Sequence, residues 1–131
     1  MYQKVVIRFW DDTTMRGYAE NFAPDKGLLT LSPAGRAGTH VLVRLDDVKA
    51  VFFVKNMGSP GRNKKKGFSQ DDRRLGTRVM VEFKDGEKMW GAVFNAAAIH
   101  GGDFFLYPAD GSSNNEKVFI PRNAIAAIHQ G

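Results

Sequence analysis

Phe9–Gly17 reads FWDDTTMRG and Phe83–Gly91 reads FKDGEKMWG. Phe, Asp, Met and Gly recur at matching places, 74 positions apart. The match extends upstream, where Val5, Ile7 and Phe9 align with Val79, Val81 and Phe83. Both runs alternate apolar residues with others, the period of a strand buried on one face. Downstream, LLTLSPA (28–34) aligns with DFFLYPA (103–109) at an offset of 75, and HVLVRLDDVKAV (40–51) lies over KVFIPRNAIAAI (117–128) at 77. The offset grows only in loops, where insertions are tolerated.

The chain therefore reads as two copies of a unit of four or five short strands. They are expected at 4–10, 14–22, 28–32, 40–45 and 48–54, then at 78–84, 88–95, 103–107, 117–121 and 123–129. LDDVK and PRNAI can each hold a single helical turn before the last strand. Asp85-Gly86 is a strong hairpin signal, because Gly takes the positive φ that a tight turn requires. Asp11-Asp12 stands there in the first copy and predicts a looser or different turn. Gly17 and Gly91, inside the second strands, suggest a bulge or a bend. Five strands in about 50 residues with a bent second strand suit a small SH3-like or Sm-like barrel. The expected fold is all-β, two such barrels packed together; the alternative is a single ten-stranded sandwich fed by both copies. The expected domains are 1–55, a basic linker 56–77, and 78–131.

VKAVFFV (48–54) bears on how the copies meet. Val48, Ala50, Phe52 and Val54 lie on one face, and Lys49, Val51 and Phe53 on the other. Two large apolar faces on one strand require burial on both sides. One face is expected to fill the first barrel and the other to meet the second barrel or a partner chain.

The chain has 131 residues, a net charge of +5 and no cysteine. Without cysteine there is no disulfide, thiolate nucleophile or zinc–thiolate site. Residues 56–78 carry seven Lys/Arg against two Asp/Glu, so the basicity belongs to the linker. The N-terminal MYQKVVIRFWDD has no apolar core typical of a signal peptide, and no run reaches the ~18 apolar residues of a membrane helix. A soluble cytoplasmic protein is expected.

KAVFFV, together with VEFKDGEKMWG, DFFLYPADGSSNNEKVFI and their order, resembles an uncharacterised bacterial domain family. The resemblance covers most of the chain and implies its domain organisation without a mechanism. GSSNN (111–115) is the family-like loop before a strand, and its Ser and Asn also read as turn chemistry. A partial resemblance to PilZ domains rests on Arg74-Leu75-Gly76-Thr77-Arg78, an RxxxR spacing just before a strand. It implies cyclic di-GMP held by two guanidinium forks. The second PilZ motif is not matched: Asn95–Gly101 has Ala where Ser belongs and its Gly one position late.

No pattern of a nucleophile, phosphate loop or metal cluster emerges around His40, His100 and His129, and no enzyme or cofactor is expected. Asp11, Asp12, Asp85 and Glu87 read as solvated turn residues. Arg62, Lys64, Lys65, Lys66, Arg74 and Arg78 are the candidates for an anionic ligand, with Phe68 among them to stack on a base. Trp10, Phe53 and Trp90 are the candidates for a protein contact. The expected function is a non-enzymatic regulatory or adaptor module acting through protein contacts; nucleic-acid or cyclic di-GMP binding is the alternative.

Overall fold

The computed structural model describes residues 3–36, 38–56, 76–94, 102–108 and 115–130. Ten strands run in chain order: β1 (Gln3–Phe9), β2 (Thr14–Ala23), β3 (Leu28–Pro33), β4 (Val41–Arg44), β5 (Val48–Val54), β6 (Thr77–Phe83), β7 (Lys88–Val93), β8 (Phe104–Pro108), β9 (Asn115–Ile120) and β10 (Ile125–Gln130). Single 3-10 turns fill Leu45–Asp47 and Arg122–Ala124, at the two expected corners, and a third lies at Pro24–Lys26 between β2 and β3. The fold is all-β, as the alternation requires.

The strands form one antiparallel sheet in the order β10-β6-β7-β8-β9-β5-β1-β2-β3-β4. The first half contributes β5-β1-β2-β3-β4 and the second β10-β6-β7-β8-β9, the same order strand for strand. Register agrees as well. Val5 lies opposite Gly17 and Phe53, and Val79 opposite Gly91 and Gln130. A bulge interrupts β1–β5 between Arg8 and Phe9, with Lys49 as the extra residue, and recurs in β6–β10 with Ala126. Antiparallel pairing of β5 with β9, Val51 opposite Phe119, joins the halves. It leaves β4 at one edge of the sheet and β10 at the other.

β5 is buried along its whole length. Because the bulge rotates the strand by one residue, its faces differ from a simple alternation. Val48, Val51 and Phe53 enter the core of the first half with Val5, Ile7, Leu29, Leu31 and Val43. Ala50, Phe52 and Val54, with Val6, enter the core of the second half beside Val79, Val81, Phe83, Leu106 and Ile120. Phe119 crosses the other way, into the first core. Burying a side chain such as Phe52 or Val54 is worth roughly 1.5–3 kcal/mol each, so each half relies on the other.

The strand glycines have a different reason from the expected bend. A Cβ on Gly17 would lie 2.2 Å from the Ser32 carbonyl oxygen, and one on Gly91 2.3 Å from that of Tyr107. Neighbouring backbones approach too closely for any side chain; the irregularity in β2 falls between Ala19 and Asn21 instead. The two hairpin turns are also alike. The Asp12 N–H donates to the Phe9 carbonyl at 3.1 Å and the Gly86 N–H to that of Phe83 at 2.9 Å. Asp12 takes φ 69° where Gly86 takes 91°. Asp is among the few residues that tolerate this region, so the Asp-Asp pair forms the same turn at an energetic cost.

Candidate strand-docking seat

The two halves differ in what covers one end of their cores. In the second half that end is closed by Lys49, carried across on the β5 bulge and itself buried. Its ammonium lies 2.6 Å from Asp85 Oδ2 and 2.7 Å from Glu87 Oε1, and 5.0 Å from the centre of the Phe83 ring. Arg8 adds a contact of 3.6 Å to Glu87. A cation over an aromatic face, held by two carboxylates, compensates much of its lost hydration. Burial alone would raise the Asp85 carboxyl; the Lys49 hydrogen bond, the Glu87 N–H and the Lys49 charge bring it below the ordinary value.

The matching end of the first half has no such cover among the described residues. Phe9, Asp11, Thr13 and Met15 stand where Phe83, Asp85, Glu87 and Met89 stand in the second half. Phe83 and Met89 are buried, whereas Phe9 and Met15 are half-exposed. With Trp10, Asp46 and Asp47 they line an open recess of about 630 Å³. Trp10, 36% exposed, sits at its rim, and its backbone N–H donates to the Asp47 carbonyl at 3.4 Å. The hydroxyl of Thr13, and then its N–H, hydrogen-bond Asp11 and hold that carboxyl below its usual range.

Among the described residues the sheet edge beside this recess is unpaired too. Leu42 in β4 pairs with Thr30 as Phe119 in β9 pairs with Phe105. Phe119 is 2% exposed because β5 lies against β9; Leu42 is 63% exposed because nothing described lies on the side of β4 away from β3. Recess, bare edge and exposed Leu42 together form the place that a strand like β5 occupies in the second half.

Of the described residues among those chosen from sequence, only Trp10 belongs to this seat. Phe53 is 2% exposed and is not available to another protein. It stacks edge-on with Phe22 and meets Phe105 of the second half, with the Lys117 ammonium 5.0 Å from its ring centre. The halves themselves consume the β5 face that was expected to meet either the second unit or a partner. Trp90 is half-buried in β7 opposite Met80, away from the recess. Arg78 is exposed in β6 opposite Ala92. Arg62, Lys64, Lys65, Lys66, Phe68 and Arg74 lie outside the described residues, as do 95–101 and 111–114. The anion-binding expectations rest on them.

His40 Nδ1 is 2.7 Å from Glu20 Oε1 and His129 is exposed in β10. Among the described residues no group of three or more His, Cys, Asp or Glu could hold a metal ion. No described helix is long and apolar enough to cross a membrane. Sequence reading missed Lys49, Leu42, Asp46 and Asp47. One signal was available in the aligned pairs Lys49/Ala126, Asp11/Asp85 and Thr13/Glu87: the lysine stands only in the first copy, and the pair of carboxylates only in the second.

A family model described as a family of unknown function (DUF6982) matches residues 1–130, and the chain belongs to that family. No curated protein and no solved structure matches the chain.

Proposed function

We propose that this family member is a non-enzymatic adaptor that takes an extended strand of another chain onto β4 and across the Phe9–Trp10 recess. The observation that carries it is internal: β5 does this for the second half, pairing with β9 and closing the core with Lys49. In this reading each half is a small SH3-like or Sm-like barrel unit of a bacterial cytoplasmic protein, completed by a strand from outside it. Strand addition at a bare edge supplies main-chain hydrogen bonds, and pockets for alternate side chains supply selectivity. The preferred strand is apolar on its inward face. A lysine at the Lys49 position would meet Asp11, Asp46 and Asp47.

The test is an amide NMR titration with a peptide of residues 46–56 (DDVKAVFFVKN). Shifts are expected at Val41–Arg44 and at the Trp10 indole, and the peptide with Lys49→Ala should bind several-fold more weakly. No change at β4 with millimolar peptide would overturn the reading.

A further inference from the structure

A single copy of this chain exposes both members of a matched pair of edges. The internal joint pairs the last strand of one half, β5, with the fourth strand of the other, β9. Among the described residues, what remains unpaired is the outer edge of the fourth strand of the first half, β4, and that of the last strand of the second, β10. β10 carries the β5 register against its own neighbour, bulge included. We propose that the occupant of the β4 seat is β10 of a second copy, so that chains associate head to tail. This rests on the strand-seat reading above and names its partner.

Repeating the internal joint fixes the contacts. Val51 opposite Phe119 becomes Ile128 of one copy opposite Leu42 of the next, and Phe52 opposite Val118 becomes His129 opposite Val41. Both new pairs place a β10 side chain against the exposed β4 edge, and cross-strand pairs of this kind are the stabilising unit of a sheet. Ala126 falls where Lys49 falls in the internal joint, facing a recess built around Asp11 rather than Asp85. The joint between copies lacks the ammonium and the large Phe52 side chain, so it is weaker than the internal one and reversible. A contact between unlike surfaces closes into a ring or grows as a filament, according to the rotation it imposes.

Leu42 and His129 are both exposed, so substituting them leaves the fold of a single copy intact. The experiment is sedimentation velocity of the full chain over micromolar to millimolar concentration. The mass of the wild type is expected to rise with concentration. Leu42→Glu and His129→Glu should each stay monomeric, and an equimolar mixture should form a dimer and stop, because one intact seat meets one intact β10. Ala126→Lys should tighten association about tenfold, which is ~1.4 kcal/mol, by restoring the cation. A monomeric wild type at millimolar concentration would overturn the proposal, as would a His129→Glu chain that still dimerises alone through two β4 edges. If the 46–56 peptide binds β4 while the protein stays monomeric, the strand seat stands and self-association fails; if neither occurs, both fail.

Discussion

Lys49 Nζ lies 2.6 Å from Asp85 Oδ2, so the bulge of a first-half strand closes the core of the second half. Asp11 occupies the place of Asp85 in the first half and receives no lysine among the described residues; its hydrogen bonds come from Thr13. One ion pair thus marks which half has its covering strand among the described residues.

Lys49→Ala removes a cation from an aromatic face and from two carboxylates that are partly exposed and can rehydrate. The expected loss is about 1–2 kcal/mol. Chemical denaturation measures it, and a double-mutant cycle with Asp85→Asn should return a coupling of about 1 kcal/mol. Additive effects would mean that the pair contributes nothing beyond its separate groups.

Acid should weaken the fold through Asp85. Its folded carboxyl titrates below the ordinary value, so its contribution is present above about pH 4, the unfolded range. It is lost as pH falls through the lower folded value. Asp11 contributes in the same direction. In Lys49→Ala the decline between pH 4 and pH 2 should be shallower, as read from thermal melts. An unchanged slope would remove Lys49 as the cause.

Gly17→Ala and Gly91→Ala should each be costly, because the new Cβ meets a backbone carbonyl rather than a movable side chain. Overpacking of this kind costs about 3 kcal/mol. A fall in melting temperature of less than a couple of degrees in either variant would contradict the close approach.

Asp12→Gly should stabilise the chain by about 0.5 kcal/mol. Relief of the left-handed backbone at φ 69° outweighs the added freedom of the unfolded chain. A loss of stability would show that the Asp12 side chain does more than occupy the turn.

The strands were legible because alternation and spacing are local. Val5, Ile7 and Phe9, or Val79, Val81 and Phe83, announce a half-buried strand without reference to anything distant. The two buried faces of VKAVFFV were also readable, since no single core accounts for both. Three things were not. The bulge at Lys49 is set by pairing with Arg8 and Phe9, so the face of Val48 could not be assigned from alternation. Asp12 takes the glycine conformation because the hairpin around it is otherwise the same as that of Gly86. Leu42 and Phe119 look equally apolar in sequence; only the sheet order shows that one has a strand beside it and the other does not.

Hydrogen exchange of β4 and β9, followed over a range of protein concentration, tests the vacant seat most directly. Val118 and Phe119 in β9 should be protected at every concentration, being paired with β5 on one side and β8 on the other. In β4, the alternate amides that point away from β3 should exchange fast in dilute solution and slow on adding the 46–56 peptide. Equal and concentration-independent protection of β4 and β9 in dilute protein without peptide would contradict a vacant seat.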